Sequence, residues 1–303
     1  MFCPLSCSCV PRRTDVLPRF SPARYLRLRD IMSEVPGPYI HGYSDPEQQR
    51  LLAQSDYWKS LVTLVDYPLE SGLKLLDVGC AVGANLVQFA HAAPGIFLAG
   101  IDREPRQIEA ARRNLKFVPE DHLDLRVGNG DSLPWETGSF DRVFIMWLLE
   151  HVHDPAPILS EAHRVLRAGG SLSVIETDYD TYLALPETRA SRVVLEAFRE
   201  HFVRSGQHQA GRRLGAWLRG AGFEVQEHRA FPIHWSAAQD PVALRRHLDY
   251  TLDYMEPAFP SLERLGYRHE TLCEGAAHLR GLWNRPEGDF SQLVFRATGR
   301  KAG

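Results

Sequence analysis

The sequence predicts an α/β fold, and two observations lead to it. Short apolar segments alternate along most of the chain with segments whose apolar residues have helical spacing, which is typical of a parallel sheet covered by helices. The 303 residues are 44% hydrophobic and 24% charged, as in ordinary globular proteins. Disorder or coiled coil throughout the chain is therefore excluded, and a large core is expected.

The strands and helices of this alternation can be assigned in order. Predicted strands lie at residues 74–78, 97–101, 123–127, 141–146 and 171–175, followed later by strands at 223–228 and 292–298. Predicted helices lie at 45–65, 85–92, 105–115, 157–166, 187–203 and 212–221. A mostly helical segment near 241–283 separates the last two strands and is too long to be a simple turn.

These assignments divide the chain into four parts. Residues 1–31 are rich in Pro, Ser and Arg without an apolar period, and we expect a disordered extension there. Residues 32–232 form the expected core with an N-terminal helix, residues 233–285 a helical lid, and residues 286–303 the final strand returning to the core sheet. The five cysteines are too few and too unevenly spread for a disulfide framework.

The charge of the chain limits its partners. A formal net charge of −3 gives no global field that would hold nucleic acid or an anionic membrane. No apolar run is long enough to span a membrane, and the first residues do not read as a secretory signal. We therefore expect a cytoplasmic protein with a small-molecule partner, and the sequence does not indicate an oligomeric state.

A carboxylate follows each of the first three predicted strands. Asp77 ends the first strand before a glycine turn, Asp102 ends the second, and Asp131 follows the third. Ligands of open α/β sheets bind at the carboxyl ends of the strands, where a carboxylate can accept hydrogen bonds from an ammonium, a ribose or an exocyclic amine. The turn contains Gly79 and Gly83 but not the third glycine of a dinucleotide fingerprint. The pattern favours a nucleoside over a pyrophosphate.

Five ordered motifs resemble the class I S-adenosylmethionine-dependent methyltransferases, in particular the small-molecule branch of ubiquinone and menaquinone biosynthesis. They read LLDVGCAVGAN, GIDREP, NGDSLPW, FDRVFIMWLLEHVHDP and RVLRAGGSLSV and cover residues 74–176. The resemblance is looser over residues 209–228 and over the closing FSQLVFRATGRK. It implies a Rossmann-like, doubly wound, seven-stranded sheet with an antiparallel last strand.

The resemblance also implies a set of residues that bind S-adenosyl-L-methionine. Asp77 and the turn after it would hold the methionine end, Asp102 the ribose, and Asp131 the adenine. The full set is Asp77, Gly79, Cys80, Ala81, Gly83, Asp102, Arg103, Gly130, Asp131, Ser132, Met146 and Trp147. Ala81 stands where the family usually has glycine, so the turn has to be made without one.

Methyl transfer is an in-line displacement that depends mainly on alignment and exclusion of water. An acceptor that must lose a proton also needs a general base, and His151, after the fourth strand, is our first candidate for that role. Glu176 and Asp178, at the expected end of the fifth strand, are candidate catalytic residues of the acceptor pocket. Aromatic residues of the insertion would form its lid. No metal ligand set is predicted.

We therefore expect a methyltransferase acting on a small-molecule oxygen, nitrogen or carbon. Two alternatives remain open at this point. A non-catalytic protein of the same fold would bind the cofactor without turnover, and the alanine in the glycine turn keeps that alternative open. A nicotinamide-dependent oxidoreductase is disfavoured by the missing third glycine.

Overall fold

The computed structural model describes residues 42–303, which contain seven strands joined in one sheet. The strands are β1 (Lys74–Val78), β2 (Phe97–Asp102), β3 (Leu123–Val127), β4 (Phe140–Met146), β5 (Leu166–Leu185), β6 (Glu224–Ser236) and β7 (Asp289–Arg300). Their spatial order is β3-β2-β1-β4-β5-β7-β6. Strands β1 to β5 pair in parallel, whereas β7 is antiparallel to both β5 and β6. The predicted fold class is thus confirmed.

Nine α-helices accompany the sheet within residues 42–303. They are α1 (Asp45–Trp58), α2 (Ala84–Ala92), α3 (Pro105–Asn114), α4 (Ala156–Val165), α5 (Arg189–Ser205), α6 (Ala210–Gly220), α7 (Pro241–Met255), α8 (Phe259–Arg264) and α9 (His269–Arg280). Ser44 caps α1, as predicted, by accepting a hydrogen bond from the Glu47 amide. None of the helices described here is long and apolar enough to cross a membrane.

The first helix ends earlier than predicted. Helix α1 stops at Trp58 and continues as a π-helix, Lys59–Thr63. Buried Arg296 of β7 donates hydrogen bonds to the carbonyl oxygens of Val62 (3.2 Å) and Val65, and it pairs with Glu227. The arginine therefore satisfies carbonyl groups at the end of this segment and fixes it to the face of the sheet.

The fifth strand is much longer than predicted. The sequence indicated a strand at 171–175 after a glycine stop, but Gly169 and Gly170 lie inside β5, which runs on to Leu185. The extension is paired along β7, from Asp178 opposite Leu293 to Leu185 opposite Asp289, with a bulge between. Likewise β6 runs to Ser236, beyond the predicted end at 228, because it pairs with β7 along its whole length.

Helices α7, α8 and α9 occupy the segment between β6 and β7. They pack with α5 around a separate apolar cluster that includes Phe198, Leu248 and Leu279, all fully buried. This cluster is distinct from the two that cover the faces of the parallel strands. The insertion is therefore a helical layer with its own core, in which α7 packs against β6, β7 and α1, and α9 packs against α5.

Candidate active site

The turn after β1 is built on left-handed backbone. Gly79 has φ +78° and Gly83 has φ +72°, and between them Ala81 has φ +45°. The amides of Gly79 and Cys80 both donate to the carbonyl oxygen of Ile101, at 2.9 and 3.0 Å, and this fixes the turn to the end of β2. A side chain other than hydrogen costs free energy in this conformation, so Ala81 is strained where glycine would not be.

Asp102 connects the glycine turn to the next helix. Its Oδ2 accepts from the Ala81 amide at 3.0 Å, and its Oδ1 accepts from the Glu104 amide at 2.9 Å. Burial raises the pKa of this carboxyl, and the two amide hydrogen bonds oppose that shift. Each oxygen keeps a second lone pair, so the carboxylate can still accept from a pair of hydroxyls.

Asp77 is the most unusual carboxylate of the site. It is 1% exposed, and its Oδ2 has no hydrogen-bond partner among the described residues. Burial, together with the negative charge of Asp102, raises its pKa from 3.8 to about 8. A buried carboxyl without a partner is costly to the fold, so Asp77 is suited to a cationic group bound at the turn.

Three other predicted residues lie at the rim of the crevice. Arg103, Asp131 and Ser132 are exposed in the structure, on the loops that follow β2 and β3. Gly130 approaches β1 so closely that a Cβ there would lie 2.8 Å from Val78 Cγ1. The rim residues are therefore free to contact a ligand, whereas Gly130 lets its loop pack against the sheet.

The end of β4 borders the crevice on its other side. Met146 is buried, and its Sδ accepts weak hydrogen bonds from Thr63 (3.6 Å) and Asn85 (3.8 Å). Trp147 follows with φ +50°, and its indole N–H donates to the Thr177 hydroxyl at 2.9 Å. A bulky residue in left-handed backbone is rare, and here the indole hydrogen bond helps to hold it.

Glu176 lies inside β5 rather than at its end, and its carboxylate is already occupied. It accepts from the amides of Leu148 (3.1 Å), Leu149 (2.7 Å) and Glu150 (3.3 Å). Its pKa is raised by burial and by the carboxyl of Glu150. The structure therefore gives Glu176 the role of holding the loop after β4.

Glu150 was not singled out from the sequence, although it precedes His151 directly. It is 3% exposed, its Oε1 accepts from the Tyr179 hydroxyl at 2.9 Å, and its Oε2 has no partner among the described residues. Burial raises the pKa of this carboxyl as well. The Glu150 carboxyl raises the pKa of Glu176, whereas Glu176 lowers the pKa of Glu150 through a side-chain hydrogen bond. One proton is therefore retained on the pair, on the Glu176 side, to a higher pH than usual.

His151 lies at the edge of this pair. Its Nε2 is 3.7 Å from the Glu150 Oε1, and its ring packs on Phe202. Burial and the nearby charges of His201, Arg103 and Arg50 lower its pKa from 6.5 to about 3. At neutral pH the imidazole is therefore uncharged and able to accept a proton, although it is a weak base.

Asp178 has other partners than these residues. It is fully buried in β5, forms an ion pair with Arg212 of α6, and accepts from the Asp180 amide at 3.0 Å. Both of its oxygens thus have partners. The Asp178 carboxylate therefore links β5 to α6.

Aromatic rings from α1 and α7 close the space next to Trp147. Trp58 contacts Trp147 edge-on, with ring centroids 5.4 Å apart, and Tyr57 stacks on Tyr250 at 5.1 Å. The Tyr57 hydroxyl is 2.7 Å from Nδ1 of the buried His247. Helical spacing placed these residues on α1 and α7, but only the packing of the two helices shows that they meet.

The other aromatic residues predicted for a lid are divided between two environments. Trp235 joins Tyr250 near α1, whereas Tyr254, Phe259, Tyr267 and Trp283 belong to the apolar cluster of the insertion. Tyr39 and His41, which precede the first helix, lie outside the described residues, as do Cys3, Cys7 and Cys9. Among residues 42–303, no three His, Cys, Asp or Glu side chains are grouped as metal ligands would be.

Comparison with known sequences gives this site a context. Residues 76–174, from β1 to β5, match the family described as "Methyltransferase domain". The match contains the glycine turn, Asp102, Asp131 and the loop with Glu150 and His151.

Three curated relatives show how far the similarity extends. The "Uncharacterized 37.1 kDa protein in transposon TN4556" of Streptomyces fradiae is 35% identical over 57% of this chain and 50% of its own length. The "O-methyltransferase resE" of Aspergillus sclerotiorum is 28% identical over 81% of this chain and 93% of its own length. The "Ubiquinone biosynthesis O-methyltransferase" of Xanthomonas oryzae pv. oryzae (strain PXO99A) is 32% identical over 52% of this chain and 65% of its own length. The matched part thus spans less than two thirds of the first and third of these relatives.

Solved structures share the fold at low identity. A putative methyltransferase (BH2331) from Bacillus halodurans has a TM-score of 0.52 and 18% identity, and the match covers 83% of this chain and 99% of that chain. Phosphoethanolamine N-methyltransferase 2 of Haemonchus contortus, in complex with S-adenosyl-L-methionine, has a TM-score of 0.53 and 14% identity over 91% of this chain and 60% of that chain.

Proposed function

Since residues 76–174 match the family described as "Methyltransferase domain", we propose that this chain transfers a methyl group from S-adenosylmethionine to a small-molecule acceptor. The observation that carries the proposal is Asp77, a buried carboxylate with one oxygen unpartnered at the glycine turn. It lies between β2 and β4, where the strand order reverses and where open α/β sheets bind their ligands.

The residues of the crevice fit this cofactor. Asp77 would accept from the ammonium of the methionine part, and Asp102 from the two ribose hydroxyls. Asp131 and Ser132 would face the adenine from the rim. When bound, S-adenosylmethionine supplies an electrophilic methyl group on a positively charged sulfur. The chain's own contribution is to orient that methyl group toward an acceptor and to exclude water, an effect of about 7 to 11 kcal/mol in well-aligned reactions.

Helices α7 to α9 are proposed as the lid of the acceptor site. The rings of Tyr57, Trp58 and Tyr250 cover the space beside Trp147, and this supports a site from which water is excluded. Two of the relatives are named O-methyltransferases, which favours a hydroxyl acceptor. A hydroxyl must lose its proton during transfer, so a proton acceptor beside Trp147 is part of the proposal.

The Glu150–His151 pair supports that role. His151 Nε2 is uncharged at neutral pH and faces the Glu150 carboxyl at 3.7 Å, so a proton accepted by the imidazole would be stabilised by a neighbouring carboxylate. Glu176 acts indirectly by fixing the loop that carries both residues. Asp178, tied to Arg212, is not assigned a step.

The experiment is transfer of an isotope-labelled methyl group from S-adenosylmethionine to a panel of phenols, catechols, amines and thiols. We expect labelled product with one class of acceptor, and several-fold less of it from Asp77→Asn when S-adenosylmethionine is below saturation. Saturable cofactor binding with no transfer to any member of a broad panel would instead favour the non-catalytic alternative. Failure to bind S-adenosylmethionine or S-adenosylhomocysteine at all would contradict the proposal.

A further inference from the structure

A cleft lies outside the cofactor crevice, between α1 with its π-helix and the start of α7. Its volume is about 360 Å³, which is within the range of small-molecule sites. It is lined by Asp56, Tyr57, Ser60, Leu61, Trp235, Asp240, Val242, Ala243 and Arg246. None of the predicted cofactor residues is among them, and of the three rings that cover the space beside Trp147 only Tyr57 also lines this cleft, so the proposed function does not account for it.

The charges of the cleft leave one cation without a carboxylate. Asp56 pairs with Lys59 at 2.6 Å, and Asp240 caps α7 by accepting from the Ala243 amide at 2.9 Å. Arg246 forms no ion pair with any carboxylate of residues 42–303; its guanidinium lies over the Tyr57 ring, 5.1 Å from the centroid. Both acids are thus already partnered, and the charge available to a ligand is positive.

The position of Arg246 also indicates the shape of the ligand. A guanidinium that lies on an aromatic face directs its N–H groups outward in its own plane. In this geometry it can donate two parallel hydrogen bonds to one carboxylate. Beside it, the rings of Tyr57 and Trp235 and the side chains of Leu61 and Val242 form apolar walls. Flat apolar walls next to one cation suit an aromatic ring bearing an acidic group.

We propose that this cleft binds a flat aromatic carboxylate, with Arg246 holding the carboxylate and Tyr57 and Trp235 contacting the ring. The proposal is independent of methyl transfer, because binding alone tests it. A ligand in the cleft would touch Tyr57, whose hydroxyl contacts His247 and whose neighbour Trp58 contacts Trp147. The cleft and the cofactor crevice are therefore separated by a single aromatic wall.

The experiment uses calorimetry on the full chain with 3,4-dihydroxybenzoate as the probe. We expect saturable binding of one probe per chain, weakened about tenfold or more in Arg246→Met. Arg245→Met is the matched control, because Arg245 lies over Trp283 and near Asp249 rather than in the cleft. Its affinity for the probe should stay within twofold of the unaltered chain. Thermal melting of both variants checks that the fold is intact.

Three comparisons decide the ligand class. The methyl ester of the probe lacks the charge, catechol lacks the acidic group, and inorganic phosphate lacks the ring, so each should bind at least tenfold more weakly than the probe. Equal binding of ester and acid, or of phosphate and probe, would overturn the proposal. Probe binding that is unchanged in Arg246→Met would also overturn it. So would probe binding that saturating S-adenosylhomocysteine abolishes in both the unaltered chain and Arg246→Met, since the probe would then occupy the cofactor crevice.

Discussion

At the scale of single residues, Asp77 shows a conflict between stability and binding. A carboxyl that is 1% exposed and has an unpartnered oxygen is unfavourable in the unliganded fold, and its raised pKa measures that cost. A ligand ammonium would remove the cost on binding. The residue is therefore expected to make the empty protein less stable and the complex tighter, as functional sites often do.

The first prediction concerns Asp77→Asn. The folded pKa of about 8 lies above the unfolded value near 3.8, so the folded protein binds more protons between these pH values and its stability falls as the pH rises through this window. Asparagine removes this loss, so the variant should be more stable than the unaltered chain at pH 8 by about 2 kcal/mol or more, and little different at pH 4. Urea unfolding without ligand, at both pH values, measures this.

Asp121→Asn serves as the control, because Asp121 is exposed in the short 3-10 helix Glu120–His122 before β3. It should leave the pH dependence unchanged. An Asp77→Asn variant that keeps the stability loss between pH 4 and pH 8 would show that this carboxyl does not cause it. The same variant should bind S-adenosylhomocysteine at least tenfold more weakly in calorimetry.

The second prediction concerns the strained alanine of the turn. Left-handed backbone costs a non-glycine residue about 1 to 2 kcal/mol of folding stability. Glycine avoids this cost but lowers the stability by about 0.4 to 1 kcal/mol, because it gives the unfolded chain more conformational freedom. With φ +45° at position 81, Ala81→Gly should raise the free energy of unfolding by about 0.5 to 1 kcal/mol. Ala90→Gly, within α2, should lower it by about 1 kcal/mol. Equal destabilisation by both substitutions would argue against strain at position 81.

The third prediction tests the ribose carboxylate. Asp102→Ala removes the acceptor of two loop amides and, in our proposal, of the cofactor hydroxyls. Affinity for S-adenosylhomocysteine should fall by a hundredfold or more, with a loss of about 1 to 3 kcal/mol in stability. Calorimetry and urea unfolding separate the two effects. Unchanged cofactor affinity in a folded variant would count against the assignment of the crevice.

The sequence was more informative about these carboxylates than about the acceptor pocket. Asp77 and Asp102 lie at the ends of strands that are recognisable by local pattern, and the structure brings them close enough for the charge of Asp102 to act on Asp77. Glu150 was overlooked because burial, which makes it unusual, is not a property of its local sequence. Glu176 and Asp178 were expected at a strand end, yet their oxygens are used by the loop after β4 and by Arg212.

At the scale of elements, pairing between distant segments determines where a strand ends, which the local sequence pattern does not show. The sequence placed Glu176 and Asp178 at the end of the fifth strand, but β7 pairs beside them and β5 continues to Leu185. The same partner extends β6 to Ser236. Strand preference depends strongly on neighbours, so an extension created by a strand far along the chain is not visible in a local window.

The fourth prediction concerns the tie between β7 and the π-helix. Arg296→Met would leave two carbonyl oxygens and the Glu227 carboxylate without their buried partner. We expect a loss of about 3 kcal/mol in stability, measured by urea unfolding. Arg300→Met is the control, since Arg300 is an exposed arginine of the same strand. A loss below about 1 kcal/mol in Arg296→Met would mean that the tie contributes little.

At the scale of the whole molecule, the order of helices and strands was predictable because each unit repeats the same alternation. The seven-stranded sheet with an antiparallel last strand was implied by the resemblance to methyltransferases, and both the resemblance and the fold are confirmed. How α1 and α7 meet was not predictable, because that contact depends on the packing of the insertion rather than on the spacing of its residues.

The fifth prediction compares cofactors by their effect on the melting temperature. A ligand at a hundred times its dissociation constant stabilises a protein by about 2.7 kcal/mol, which corresponds to a rise of about 5 °C or more for a chain of this size. S-adenosylhomocysteine should produce this rise, and NAD⁺ or NADH should not. A rise with a nicotinamide cofactor and none with S-adenosylhomocysteine would favour an oxidoreductase.

The position of β7 has a consequence for how the chain is made. This strand is synthesised after β5, β6 and the helices of the insertion, yet it lies between β5 and β6 and is the sheet neighbour that joins them. Until β7 leaves the ribosome, β5 has one unpaired edge and β6 has no strand partner at all. A nascent chain stalled within the insertion would therefore expose strand edges that pair readily with other chains. Premature termination there is expected to yield aggregates, because β7 is the strand that completes the pairing of this sheet.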